Sequence, residues 1–197
     1  MKLNASTALA AALVIPAMLS AGCLRGASAA KELAEDAVAE AIVTQSISSY
    51  NEAAINVSVN DASLSMECNT GGTVSWEDLS TEDLICYEVD SRGCDFETGN
   101  ERAFAIEGSS TLCGSDDFTV TESSLEAGQS YSIDGSATVT TSEASRTCDY
   151  SLDVTVDSVL GDGAEYEVTV AGNLCGTRAY AASFSIAVEG NVTATIE

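Results

Sequence analysis

The chain has 197 residues and a formal net charge of −24 at pH 7, with 31 acidic residues, 7 basic residues and no histidine. Nucleic acid is excluded as a partner, because phosphate binding requires clustered Lys and Arg, and from Ile55 onward there are four Arg and no Lys. Without histidine, the chain cannot assemble a Ser-His-Asp or Cys-His nucleophile. The composition favours a highly solvated acidic surface that suits a saline or cation-rich medium or attracts a basic partner.

Residues 1–22 have the three parts of a secretory signal peptide. Lys2 precedes an apolar stretch that begins at Ala5 and ends at Leu19, and small residues follow it. The stretch is shorter than the run of about 20 apolar residues that spans a bilayer, and Pro16 interrupts it. We therefore expect a cleaved signal peptide and an exported protein.

The leader ends in Leu19, Ser20, Ala21, Gly22 and Cys23, which resembles the lipobox of bacterial prolipoproteins, with Leu19 one position earlier than usual. The resemblance covers these few residues alone. It implies that Cys23 is diacylated on sulfur, becomes the amino terminus on cleavage and is acylated again on nitrogen. Residues 23–30 would then be a lipid attachment and tether, and the protein would lie in the cell envelope, at the periplasmic or surface face of the outer membrane.

An ordinary signal cleavage after Ala29 is the alternative, because Ala27, Ser28 and Ala29 form an A-x-A site. This cleavage would discard Cys23 with the leader. Arg25 argues against it, since bacterial signals usually avoid positive charge just before the cut. Both alternatives export the chain. Two or three acyl chains would anchor it stably, because each buried methylene adds about 0.8 kcal/mol.

Six further cysteines predict three disulfides, because an even number in an exported chain is typical of a disulfide framework. A metal site is disfavoured, since the chain has no histidine and no C-x-x-C pair. The six are Cys68, Cys86, Cys94, Cys113, Cys148 and Cys175.

An internal repeat selects among the possible pairings. Segments 86–115 and 148–177 align when the chain is shifted by 62 residues, and the shift superposes two Leu-Cys-Gly tripeptides. Duplication explains this match together with the equal cysteine spacing in the two segments. It predicts three disulfides, which join Cys86 to Cys113, Cys148 to Cys175 and the remaining Cys68 to Cys94.

Residues 31–50 have the period of an amphipathic helix. Apolar residues such as Leu33 and Ile42 recur at intervals of three and four, and acids such as Glu40 lie opposite them. Ser28 is the candidate for the amino-terminal cap. We expect the apolar stripe to pack on the following domain, and a helix that binds a partner is the alternative.

We expect residues 51–197 to form one antiparallel β domain, either a sandwich or a barrel, that is cross-linked by disulfides. The period changes to two at Ile55, which predicts a strand there, and two further strands are predicted at 130–134 and 137–141. The alternation is clearest from Tyr150 to Val156, where a strand leads through a glycine turn to a return strand at 166–170. The fold class is therefore mainly β, with an amino-terminal helix. Acids on the outer positions of this hairpin predict a wet outer face. These acids are Asp153, Asp157, Glu165 and Glu167.

Two local patterns are candidate binding sites. Trp76 beside Glu77 and Asp78 could form a sugar-binding platform, although a plain loop or core-edge tryptophan is the simpler interpretation. Two acidic segments could supply oxygen ligands to Ca²⁺, but neither has an EF-hand or RTX spacing, so we predict no metal and no cofactor. The segments contain Asp90, Asp95, Glu97 and Asn100 in one case, and Asp157, Asp162 and Glu165 in the other.

The sequence favours a non-catalytic envelope lipoprotein that acts as a structural or protein-binding module. Its partners would be the membrane, through the lipid anchor, and a protein of the envelope. One alternative is a carrier whose sheet encloses an apolar ligand, which would require a continuous interior cavity. The other is a secreted hydrolase, which would require a cleft with two carboxylates roughly 5 to 10 Å apart.

Overall fold

A computed structural model describes residues 33–56, 63–68, 71–81, 84–97, 103–114, 125–161, 165–188 and 192–195. The predicted signal peptide, the tether with Cys23, and Ser28 lie outside these residues. In chain order the elements are α1 (Glu35–Asn56), β1 (Ser63–Cys68), β2 (Thr73–Asp78), β3 (Ile85–Glu97), β4 (Ala103–Gly114), β5 (Ser130–Thr140), β6 (Ser145–Leu160), β7 (Glu165–Leu174), β8 (Thr177–Ala187) and β9 (Val192–Thr195).

The nine strands form one antiparallel sheet. Strands β1 to β8 follow one another as a meander, and β9 returns to pair with β1, so the order is β8-β7-β6-β5-β4-β3-β2-β1-β9. Each connection along the meander joins strands that are neighbours in the sheet. The predicted antiparallel β architecture is therefore confirmed, and it is a single curved sheet.

Alternation along β6 and β7 separates an inner face from an outer face. On β6 the side chains from Tyr150 to Val156 are buried at every second position, whereas Asp153 between them and Asp157 just after them are exposed. On β7, Glu165 and Glu167 are exposed in the same way. The predicted hairpin with a wet outer face is confirmed.

The sheet curves around α1. Every residue of the helix from Val38 to Tyr50 is buried, including the polar ones, and the helix packs against the middle strands and against both edge strands, β8 and β9. Helix and sheet form one hydrophobic core. A helix buried on all sides lacks the apolar stripe and polar face that characterise a surface helix.

The helix boundaries and surroundings differ from the predicted ones. The predicted range is 31–50, whereas α1 ends at Asn56, and Ile55, which was expected on a strand, lies in its last turn. Glu40, which was expected on a polar face, is buried. Tertiary packing explains both differences, because enclosure by the sheet determines the length and exposure of a helix more than its own periodicity does.

The three disulfides join Cys68 to Cys94, Cys86 to Cys113 and Cys148 to Cys175. These are the pairs that the repeat predicts. The two repeated segments form equivalent hairpins, β3 with β4 and β6 with β7. Three aligned pairs of apolar side chains in these hairpins lie in the core, which explains why the repeat retains apolar residues at these positions. They are Phe104 with Tyr166, Ile106 with Val168, and Leu112 with Leu174.

Strand β5 runs without a break through Gly135, where the sequence predicts a division into two strands, 130–134 and 137–141. A Cβ at Gly135 would meet the carbonyl oxygen of Ser109 and lie 2.9 Å from the Cα of Ser110. The glycine therefore permits close approach of β4 rather than forming a turn. Strands β1 and β2 were not predicted.

Candidate functional site

The interior of the sheet is the position that a ligand of a carrier would occupy, and α1 lies there. Three sets of hydrogen bonds fix the helix along its length. In its first turn, Glu35 accepts hydrogen bonds from Nη2 of Arg146 at 3.2 Å and from the hydroxyl of Thr177 at 2.8 Å. The hydroxyl of Tyr180 donates to Asp36 at 2.9 Å. The start of the helix is thus tied to β6 and β8.

The middle and the end of α1 are tied to other strands. The hydroxyl oxygens of Ser46 and Tyr131 on β5 lie 2.9 Å apart. The amide of Asn51 donates to the hydroxyl of Tyr166 on β7 at 2.7 Å, and its carbonyl oxygen accepts from the backbone of Leu125 at 3.4 Å. Because the contacts at the start, middle and end of α1 together reach four different strands, β5, β6, β7 and β8, the helix has one position in the sheet.

One side of α1 carries buried polar groups. Thr44, Gln45, Ser48 and Ser49 recur at helical spacing, and within the described part of the chain Oγ1 of Thr44, Nε2 of Gln45 and the two serine hydroxyls have no hydrogen-bond partner. An unsatisfied buried polar group lowers stability by about 1 to 3 kcal/mol. These four residues therefore do not explain the stability of the enclosed helix. Its stability depends on its apolar side chains and on the three sets of hydrogen bonds along its length.

Trp76 is a core residue and not a sugar platform. It is 2 % exposed and lies on β2 with its side chain on the inner face. Its ring stacks on Tyr87 with the ring centroids 4.6 Å apart and contacts the edge of Tyr50 at 6.2 Å. The simpler interpretation, in which Trp76 belongs to the core, is therefore confirmed, and the alternative of a carbohydrate platform is wrong because the ring has no free face. Glu77 and Asp78 are exposed on the opposite face and at the end of β2.

A depression of about 420 Å³ lies on the outer face over β2, β3 and β4. Glu77 and Glu88 face each other directly across β2 and β3. Glu88 accepts a hydrogen bond from Ser109 at 3.0 Å, and Asp90 accepts one from Nε of Arg92 at 3.0 Å. Like charges directly opposite in a sheet are destabilising, which distinguishes the Glu77 and Glu88 pair from the other outward acids.

The candidate calcium ligands that lie in the described ranges do not converge. Within the described ranges, no group of three or more potential ligands occurs. Asp90 pairs with Arg92, and Asp157 accepts a hydrogen bond from Thr169 at 2.7 Å. Asp95 is half-buried on β3 and Glu165 is exposed on β7. The remaining three candidates, the side chain of Glu97, Asn100 and Asp162, lie outside the described residues.

Buried tyrosines line the interior next to α1 and on β6. Burial raises the pKa of the Tyr131 hydroxyl, although its hydrogen bond with Ser46 acts in the opposite direction. Burial also raises the pKa of Tyr150 from 10.0 to about 12, against the opposing effect of a hydrogen bond with Ser110, whose oxygen lies at 2.6 Å. Both side chains are therefore neutral at physiological pH and serve as structural hydrogen-bonding groups.

Comparisons with known protein families, with curated proteins and with solved structures gave no match. Among the described residues, α1 is the one helix, and its sequence is not apolar enough to cross a bilayer.

Proposed function

We propose that the chain is exported, anchored in the cell envelope by lipid on Cys23, and acts there as a non-catalytic structural or protein-binding module. The observation that supports this role most strongly is the enclosure of α1. A sheet whose interior holds a helix, buried from Val38 to Tyr50, has its core where a carrier would hold an apolar ligand.

The three disulfides support export. Disulfides form and persist in oxidising compartments such as the bacterial periplasm and the cell surface. Each pair closes a loop with a sequence separation of 26 or 27 residues. A loop of this length stabilises a fold by roughly 3 to 4 kcal/mol in the chain-entropy model. The domain is thus built to withstand an environment outside the cytoplasm.

The attachment of α1 to the sheet suits a tethered domain. Cys23 precedes Glu35 by twelve positions, and an extended chain of that length spans about 40 Å. Any force on the tether acts on the first turn of α1, which Arg146, Thr177 and Tyr180 hold to β6 and β8. A force on the lipid anchor would therefore be transmitted to α1, the helix that the sheet encloses.

Labelling with a radioactive fatty acid tests the anchor. Wild-type protein should incorporate the label, and Cys23→Ser should abolish incorporation. Ala27→Leu is the matched control, because it removes the A-x-A site and leaves the lipobox intact, so its labelling should equal that of the wild type. If the wild-type chain is unlabelled and Ala27→Leu blocks its processing, the leader is cleaved after Ala29. This result would contradict the lipid anchor, and only the proposal of export would remain.

A carboxylate-dependent hydrolase is the second candidate, because Glu77 and Glu88 are directly opposed in the outer depression. Directly opposite Cβ atoms lie about 4.5 to 5.5 Å apart, and retaining glycosidases hold two carboxyl groups about 5 to 5.5 Å apart. In this role Glu77→Gln or Glu88→Gln would eliminate hydrolysis of glycosides and leave the melting temperature unchanged. Glu107→Gln, an exposed outward acid on β4 that does not line the depression, is the control. Absence of glycoside hydrolysis in the wild type would exclude this candidate.

A further inference from the structure

Among the described strands of more than four residues, β8 alone carries no acidic residue. Residues Val168–Val188 contain no Asp or Glu in a chain with 31 of them, and this run includes all of β8. Every other strand of more than four residues has at least one acidic residue. The acidic residues on the outer face of the other long strands therefore do not continue onto β8.

β8 also lies at an edge of the sheet. Within the described residues it pairs with β7 alone, whereas the opposite edge strand, β9, is four residues long. Natural edge strands are usually blunted by charge, proline, bulges or short length, because their free backbone groups can pair with another strand. Ala179 has a φ of 57°, a left-handed conformation that interrupts the start of β8. The segment Tyr180–Ile186 beyond it has none of these four features.

The side chains of this segment suit strand pairing. Ala181, Ser183 and Ser185 point outward and are exposed, and all three are small and neutral. On the inner face Phe184 is half-buried at the edge of the core, whereas its partner Val168 on β7 is fully buried. A strand added beside β8 would cover the remaining surface of Phe184.

We propose that β8 pairs antiparallel with β8 of a second copy of this chain, so that two sheets join into one. Electrostatics favours a second copy as the occupant. A basic partner would be attracted to the acidic faces, whereas a strand without acids lets another highly acidic chain approach.

The geometry of such a pair separates the nearest acids. Adjacent strands lie about 4.7 to 4.9 Å apart, so the two β7 strands, which carry Glu165 and Glu167, would be about 14 Å apart across the joined sheet. Salt screens charges over about 8 Å at physiological ionic strength. The repulsion between the two copies is thus largely screened along β8, and it would not be screened if strands rich in acids met.

The outward residues fix the centre of the pair. Ala181 and Ser185 lie symmetrically about Ser183, so a two-fold axis at Ser183 places that residue opposite its own copy and Ala181 opposite Ser185. A charge introduced at Ser183 would therefore face an identical charge, and opposite charges on two variants would face each other.

Sedimentation velocity of the exported chain without its leader and without Cys23, so that neither the apolar leader nor lipid causes association, tests this pairing. The wild-type domain should sediment as a dimer, more completely at about 1 M than at about 0.15 M NaCl, because salt screens the net charge. Ser183→Glu and Ser183→Lys should each be monomeric, and an equimolar mixture of the two should restore the dimer. Ser151→Glu, an exposed outward change on β6, should remain dimeric.

A monomer at both salt concentrations would overturn the proposal. A dimer that survives in Ser183→Glu would also overturn it, because the interface would then lie elsewhere. A single cooperative thermal transition in each Ser183 variant, as in the Ser151→Glu control, would show that the Ser183 variants are folded. If Ser183→Glu unfolds the chain, the milder Ser183→Asn should still be dimeric, and a monomeric Ser183→Asn would contradict the pairing.

Discussion

Arg146 on β6 and Glu35 in the first turn of α1 form a partly buried ion pair, with Nη2 of the guanidinium 3.2 Å from the carboxylate. The same guanidinium donates to the backbone carbonyl of Leu33 at 3.1 Å. The start of the helix is therefore fixed to the sheet by a charged group and not by apolar packing alone.

The coupling between these two side chains should be measurable in a double-mutant cycle. Glu35→Gln, Arg146→Met and their combination should give a coupling energy of about 1 to 2 kcal/mol in urea unfolding, because the pair is shielded from solvent. The exposed pair of Arg92 and Asp90 is the matched control, with the Arg92 side chain 78 % exposed, and its coupling should be near zero. Equal coupling at the two pairs would show that the contact at Glu35 does not hold the helix.

Trp76→Ala should lower the free energy of unfolding by about 3 to 5 kcal/mol, since it removes a buried ring packed between Tyr87 and Tyr50. Leu84→Ala, a change at an exposed side chain, should alter it by less than about 0.5 kcal/mol. Denaturant titration measures both. Because Trp76 is the single tryptophan, its fluorescence should shift to longer wavelength on unfolding and should not respond to oligosaccharides. A change in Trp76 fluorescence on addition of oligosaccharides would contradict this expectation and support a carbohydrate-binding platform at Trp76.

Alkaline pH should destabilise the fold through Tyr150. Burial raises the pKa of Tyr150 from 10.0 to about 12, so the folded chain retains a proton that the unfolded chain releases. The stabilisation is fully present below pH 10 and is lost as the pH rises towards about 12, a change of about 2 to 3 kcal/mol. Tyr150→Phe should be less stable at neutral pH, because Ser110 loses its partner, and should lose less stability with rising pH. Parallel pH profiles would contradict this assignment.

The outward acids should behave as a distributed coat. Changing Asp153, Asp157, Glu165 and Glu167 together to their amides should raise the melting temperature slightly at low salt, by a few degrees at most, and the gain should shrink as salt is added. Ser151→Asn, a change on the outer face of β6 that removes no charge, should give no gain. The measurement is a thermal melt over a salt series. A large loss of stability in the fourfold variant would indicate that these acids form a specific structural site.

The strands with regular alternation were predictable from the sequence. From Tyr150 to Val156 the alternation of apolar and polar residues identifies both faces of β6, and the repeat identifies all three disulfides. These features depend on neighbouring residues or on duplication, both of which the sequence displays directly. Strand β1 was missed because Ser63–Cys68 is short and rich in serine.

The enclosure of α1 was not predictable in the same way. Glu40, Thr44, Gln45 and Ser48 are polar, and their spacing favours a helix with one face in solvent. Their burial results from nine strands that come later in the chain and curve around the helix, which no local pattern encodes. The opposed pair of Glu77 and Glu88 was missed for a related reason, since it depends on the register of β2 against β3.

Mass spectrometry of the mature amino terminus tests the account of this protein most directly. The proposed lipid anchor predicts a first residue at Cys23 that carries a diacylglycerol on sulfur and a fatty acid on nitrogen, joined by the tether to the enclosed helix. A mature chain that begins at Ala30 without lipid would contradict the anchor and show that the domain is released after export.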